Sequence, residues 1–277
     1  MRPQDRSAIR GDLVRAVTTT SLIEFYRFAV SVVRPIVKSL MSRDFYDRFP
    51  LVRNISEETP ETKSFSLDLA SEPFRFRPGQ FVNVTVELID KRRARRAYSI
   101  ASSPLDPDLL LTVKRMQAGV VSKYLCDQFK VGDLLHIRGP YGRFTLDETV
   151  TDAVFIAAGS GIVPFRSMWR YVLQTGVDTR WSLLYASRSV RYVIYRDELR
   201  ALSESGFRVI HTFTENDDPQ WTGYSRRIDR EMLVEFVEHF EDKIFYVCGP
   251  PQFCNSTAAL LMSLKVECER IKTERYD

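Results

Sequence analysis

Between residues 49 and 147 apolar and polar positions alternate in short runs. In Phe81-Val82-Asn83-Val84-Thr85-Val86-Glu87 the valines fall on every second residue, the period of a half-buried strand. Runs of this kind predict strands over 51–56, 62–69, 81–87, 97–101, 109–116 and 134–138, with Pro78-Gly79 and Gly139-Pro140 as turns. One helical stretch, 119–129, interrupts them, with Val120, Tyr124, Leu125 and Phe129 apolar. These elements predict a six-stranded antiparallel barrel domain over 47–148.

The period changes after Thr151. Residues 153–158 form a continuous apolar run, the mark of a strand covered on both faces. Predicted strands at 181–186, 208–214, 243–248 and 266–272 then alternate with helices from about 165, at 196–205, at 229–240 and at 251–264. That alternation predicts an α/β domain with a parallel sheet over 149–277. Ahead of both domains, 21–45 carries apolar residues at helical spacing, including Leu22, Phe25, Tyr26, Ala29, Val33 and Val37. Arg2, Arg6, Arg10 and Arg15 precede them, so residues 1–46 read as a basic helical extension, kinked or ended by Pro35. It either packs on the barrel or docks to a partner protein or a membrane surface.

Composition narrows the function. A chain of 277 residues that is 44% hydrophobic and 27% charged can form two full cores. A net charge of +4 is too mild to argue for nucleic acid and suits an acidic protein partner. Cys126, Cys248, Cys254 and Cys268 lack iron–sulfur, zinc-ribbon or disulfide-scaffold spacing, and His136, His211 and His239 are far apart, so no metal is expected. Residues 1–11 are polar and no apolar run approaches the ~18 residues of a span, which predicts a cytoplasmic protein, peripheral to a membrane at most.

Candidate chemistry begins at Arg95-Arg96-Ala97-Tyr98-Ser99, where a cation, a ring and a hydroxyl share one strand. A large planar anionic cofactor uses those groups for phosphate, stacking and a polar edge. Gly119-Val120-Val121-Ser122 sets glycine and free N–H groups at a helix start, a second anion site. Gly159-Ser160-Gly161-Ile162-Val163-Pro164 joins a strand to a helix, where bare backbone admits a pyrophosphate, although Pro164 replaces the third glycine of the usual dinucleotide fingerprint.

Over residues 49–277 these motifs, with Pro78-Gly79-Gln80-Phe81, Gly139-Pro140-Tyr141-Gly142 and Cys248-Gly249-Pro250-Pro251, stand in the order of the ferredoxin–NADP reductase family, which the chain resembles. The resemblance implies FAD on the barrel and a nicotinamide dinucleotide on the α/β domain. Arg96 would then neutralise the FAD pyrophosphate, Tyr98 pack on the flavin face, Ser99 bond near flavin N5, and Lys114 touch the ribityl-phosphate arm. The start of the helix at Gly119, with Val120, Val121 and Ser122, would hold the pyrophosphate, which favours FAD over FMN. Gly159, Gly161 and Pro164 would shape the nucleotide site, with Cys248, Gly249 and Pro250 beneath the nicotinamide. At the chain end Glu274 and Tyr276 match a family pattern of carboxylate and covering ring, although Asp277 follows the ring.

The strand ending at 186 runs into Ser187-Arg188-Ser189, with Arg226-Arg227 in a later loop and no carboxylate at the strand end. A hydroxyl with guanidinium groups suits a 2′-phosphate, so Ser187, Arg188 and Arg227 point to NADPH, with NADH as the alternative. The activity implied is hydride transfer from NAD(P)H to FAD, followed by release of single electrons to a ferredoxin, flavodoxin or oxygenase component. A cytochrome b5 reductase-like enzyme, a flavin reductase, or a non-catalytic subunit keeping the fold are the alternatives.

Overall fold

Alternating valines make β4 (Phe81–Glu87) the clearest strand of the first half: Val82, Val84 and Val86 are buried while their neighbours face outward. The structure, a computed structural model, describes residues 46–70, 74–88, 90–216 and 218–276. The helix expected in the N-terminal extension lies outside them. Around β4 stand β1 (Tyr46–Arg48), β7 (His136–Tyr141) and β5 (Arg93–Ser99), in the antiparallel order β1-β7-β4-β5. A second antiparallel sheet holds β2 (Leu51–Thr59), β3 (Thr62–Asp68) and β6 (Leu109–Lys114). Bridges between Ile100 and Leu111 and between Leu51 and Leu134 tie the two sheets into a barrel. Val52, Phe65, Leu67, Ile100, Leu111 and Ile137 fill it.

Seven barrel strands are therefore described rather than six. The addition, β1, is three residues long and carries no alternation of its own. Its pairing of Tyr46 with Gly139 and Arg48 with Ile137 makes it a strand. β5 also begins earlier than its pattern suggests, because Arg93 pairs with Glu87 across the hairpin. Helix α1 (Val120–Gln128) packs on β4, β5 and β6.

The second half is a five-stranded parallel sheet in the order β10-β9-β8-β11-β12. Its strands are β8 (Asp152–Ala158), β9 (Arg180–Ser187), β10 (Arg208–Phe213), β11 (Ile244–Gly249) and β12 (Ile271–Arg275). β8 is central, and Ala153 to Ala157 are wholly buried, as a strand covered on both faces requires. Helices α2 (Val163–Thr175) and α3 (Arg196–Glu204) bury Phe165, Met168, Trp169 and Leu199 on one face. Helices α4 (Arg230–Phe236) and α5 (Pro251–Ser263) bury Met232, Leu233, Phe236 and Leu261 on the other. β12 starts later than its apolar run implies, since a single 3-10 turn (Cys268–Arg270) takes up the intervening residues. The chain leaves β8 toward β9 and β10, then returns to β11 on the opposite side. The strand order thus reverses between β8 and β11, where open parallel sheets bind ligands at their carboxyl ends.

No helix among the described residues is long and apolar enough to cross a membrane.

Candidate functional site

Two turns flank the β8/β11 crevice. After β8 the chain makes a 3-10 turn (Gly159–Ile162) whose first residue has φ 53°. A Cβ at Gly161 would lie 2.0 Å from the Cys248 carbonyl oxygen and 2.8 Å from the Gly249 nitrogen. Only glycine lets this turn lie directly on the end of β11. Val163 and Pro164 begin α2, where proline loses no hydrogen bond. Beyond Cys248 and Gly249, Pro250 caps α5.

Cys248 and Ser99 come from different halves of the chain and meet through one ring. The hydroxyls of Ser99 and Tyr276 share a hydrogen bond of 2.6 Å, and the Tyr276 hydroxyl lies close enough to the Cys248 thiol to influence it. Tyr276 is held here because β12 pairs with β11, Glu274 opposite Cys248, and the Tyr276 N–H donates to the Gly249 carbonyl at 3.0 Å. Burial pushes the Cys248 thiol well up, so it stands as a neutral thiol near pH 7. Burial also raises the Tyr276 hydroxyl and the Glu274 carboxyl. Ser99 and Cys248 are buried and Tyr276 half-buried, so the contact itself is largely shielded and carries no charge of its own.

On the barrel, Arg96 and Tyr98 share one face of β5 two residues apart; Arg96 is exposed and Tyr98 half-buried. Gly119 caps α1, and the first turn of that helix holds no acidic residue, leaving its positive end open to an anion. The Ser122 hydroxyl is turned inward: it accepts from the Met116 N–H at 3.1 Å and donates to the Gly119 carbonyl at 3.5 Å. It therefore shapes the turn, while the N–H groups of Val120 and Val121 stand at the helix start. An exposed guanidinium, a half-buried ring and an open helix N-terminus on adjoining elements fit a flavin dinucleotide.

At the end of β9, Ser187 is buried with its hydroxyl on the Ser189 carbonyl at 3.4 Å. The Arg188 guanidinium lies 3.8 Å over the Tyr192 ring and donates to Glu61 at 2.6 Å. Lys114 is close enough to feel both: burial lowers its ammonium, Arg188 lowers it further, and Glu61 opposes them. Arg227 is exposed, next to Arg226, which pairs with Asp229 and whose carbonyl accepts the Thr212 hydroxyl on the neighbouring strand. No carboxylate stands at this strand end in sequence, yet Glu61 supplies one in space. It comes from the β2–β3 turn on the other domain, which no local pattern could reveal. Of the histidines, His211 is wedged between Tyr185 and Phe213, and burial lowers its pKa to about 4, so it is neutral and structural.

The halves are joined behind this crevice by α2. Arg166 donates to the Ala101 carbonyl (3.0 Å) and Ser167 to that of Ser102 (2.6 Å), while Arg170 grips Asp106 with two bonds of 2.9 and 2.6 Å. Gln174 adds a bond of 2.7 Å to the same carboxylate. Arg166, Arg170 and Gln174 recur every fourth residue and so share one helix face. Further along, the Tyr195 hydroxyl donates to Thr112 at 2.6 Å.

An antiparallel barrel with an open helix start, joined to a parallel sheet with a glycine turn at its switch point, defines a protein with paired flavin and pyridine-nucleotide domains. Residues 50–146 match the oxidoreductase FAD-binding domain family and residues 155–259 the oxidoreductase NAD-binding domain family. Ferredoxin–NADP reductase B of Sorangium cellulosum is 32% identical over 237 residues, covering 82% of this chain and 93% of that protein. The chain belongs to the ferredoxin–NADP reductase family. The glycine betaine monooxygenase reductase subunit of Pseudomonas aeruginosa is 30% identical over 230 residues, covering 80% of this chain but 62% of that protein. The chain thus spans less than two thirds of that relative's length. Among solved structures, the FAD/NAD-binding domain of a nitric oxide dioxygenase from Vibrio cholerae matches with a TM-score of 0.75 and 25% identity, over 83% of this chain and 99% of that one.

Proposed function

We propose that the chain is a reductase that takes hydride from NADPH, or NADH, through bound FAD, and passes electrons singly to a separate redox protein such as a ferredoxin, a flavodoxin or an oxygenase component. The observation that carries this reading is the meeting of Ser99, Tyr276 and Cys248 at the β8/β11 crevice, with the two halves locked together behind it. The flavin, when bound, supplies the two-electron to one-electron conversion. The chain's own residues do the rest: Arg96 and the α1 N-terminus hold phosphate, and Tyr98 and Ser99 orient the ring. The Gly159–Ile162 turn seats the nucleotide, and Tyr276 keeps water from the contact until the pyridine takes its place. Glycine betaine, steroid and phenol monooxygenase reductase components are among the relatives, which supports an oxygenase system as the acceptor side.

Domain limits of 47–148 and 149–277 follow from the same reading, with residues 1–46 as a basic helical extension that either packs on the barrel or docks to a partner or membrane surface. The purified full chain is expected to be yellow, or to become so with FAD, and to reduce ferricyanide with NADPH or NADH. A colourless protein that FAD cannot reconstitute and that reduces no dye would end the proposal. Removal of residues 1–46 that spares dye reduction but impairs transfer to the protein acceptor would assign that segment to docking.

A further inference from the structure

Glu61 sits on the turn between β2 and β3 in a fixed position. Its carbonyl accepts the Arg115 N–H at 2.7 Å and its own N–H donates to the Thr59 hydroxyl at 3.3 Å. The carboxylate it projects reaches across to the nucleotide domain and meets the Arg188 guanidinium at 2.6 Å. Arg188 is equally placed, with its ring contact to Tyr192 and its carbonyl accepting the Glu215 N–H at 2.8 Å. Both partners are held by backbone contacts as well as by each other. A groove of about 550 Å³ runs on from the same turn, walled by Glu58, Thr59 and Pro60 on one side and Val190, Arg191 and Arg196 on the other.

A ribose bearing a 2′-phosphate is recognised by a guanidinium, and a ribose with a free diol by a carboxylate. This strand end carries both, each neutralising the other. We infer that Glu61 is a specificity-determining residue: a carboxylate from the flavin domain that occupies Arg188 and competes with the 2′-phosphate of NADPH. To bind NADPH, the phosphate must take the guanidinium from Glu61 and then tolerate a carboxylate beside it. NADH asks for neither. The bond from Arg188 holds the Glu61 carboxyl below the usual carboxylate range, with Lys114 and Arg115 adding positive charge nearby, so it stays ionised through neutral pH and the competition does not fade there.

The inference rests on the reading of this strand end as part of the nucleotide site, and two ligands separate the two. Adenosine 2′,5′-bisphosphate and adenosine 5′-monophosphate differ only in the 2′-phosphate, and both are titrated calorimetrically into the full FAD-loaded chain. In Glu61→Gln the affinity ratio of bisphosphate to monophosphate rises about tenfold at low salt, and the ratio of kcat/KM for NADPH over NADH rises in parallel. The pair is more than a third exposed, so the effect shrinks as salt is raised. In an Arg188→Ala background, Glu61→Gln shifts both ratios by clearly less than it does in the wild-type chain, because only the direct repulsion between carboxylate and phosphate is left to relieve. An unchanged ratio in a folded Glu61→Gln chain, checked against Glu61→Ala, overturns the inference and leaves the reductase reading in place. A wild-type chain that binds neither adenosine phosphate overturns the nucleotide site itself, and the inference with it.

Discussion

The two halves of the described molecule also touch through Glu61–Arg188 and Tyr195–Thr112, but two of their meetings, along the back and at the front of the crevice, are built on different physics. Along the back, one face of α2 lays Arg166, Ser167, Arg170 and Gln174 on the 101–106 segment, and each polar group finds a partner between 2.6 and 3.0 Å. Ala101, Phe144 and Leu146 from the barrel side join the same buried cluster as Phe165 and Met168, so the apolar core continues across the seam. At the front the contact narrows to three groups, Ser99, Tyr276 and Cys248, held by the last residues of an edge strand. The back sets where the nucleotide sheet stands over the barrel. The front is left replaceable, as a place where a second ring must enter requires.

If that division holds, the largest single effect comes from the backbone that supports the front. Gly161→Ala puts a methyl 2.0 Å from the Cys248 carbonyl oxygen and 2.5 Å from its carbon. Neither atom is the end of a flexible side chain, so the turn or the strand end must move. The expected outcome is a loss of about 2–3 kcal/mol in stability and a fall of roughly 100-fold in nucleotide-dependent dye reduction, while the barrel still retains FAD. Thermal unfolding, flavin absorbance and steady-state rates read the three separately. A variant of normal activity would mean the turn does not position the nucleotide.

Asp106→Ala tests the back instead. The Asp106 carboxylate is half-buried, which alone would raise its pKa. The bonds from Arg170, the Ser103 N–H and Gln174 more than offset that and hold it below the usual carboxylate range. A carboxyl held low when folded stabilises the fold above about pH 4 and gives that up as the pH falls through its lowered range. Losing it leaves Arg170 half-buried without its acceptor, at a cost of about 2 kcal/mol. Wild type and variant therefore differ most near neutral pH, and the gap closes under acid. Urea titrations at pH 7 and pH 3 measure it. A drop in hydride transfer without a drop in stability would show that seam and crevice are not separable.

How much of this was legible in the sequence follows the same division. Alternation gave β4 and its neighbours, and a continuous apolar run gave β8, because each is a local response to one or two covered faces. Glycines at 119, 159 and 161 and the terminal Glu274 and Tyr276 were legible because they lie in short motifs whose spacing is itself the signal. Contacts that exist only between domains left no local trace. Asp106 reads as an ordinary loop acid, Tyr195 as a helix-start aromatic, and Glu61 as a turn residue; their partners lie 64, 83 and 127 positions away. β1 was missed for a related reason: three residues carry no period, and only β7 makes them a strand.

The smallest expected effect sharpens the comparison most. Tyr276→Phe keeps the ring and its packing but removes the hydroxyl that ties it to Ser99. Ser99 loses its hydrogen bond to the ring, and a single bond of this kind is worth about 1 kcal/mol net. On the proposed reading that free energy also resists the ring's displacement. The population of chains ready to receive a nucleotide should rise when the bond is lost, and apparent affinity rises with that population. The KM for the nucleotide is therefore expected to fall by about fivefold, with kcat nearly unchanged and stability lowered by no more than ~1 kcal/mol. A KM that rises instead would make the hydroxyl part of the nucleotide's own binding site, and the front of the molecule would then be as fixed as the back.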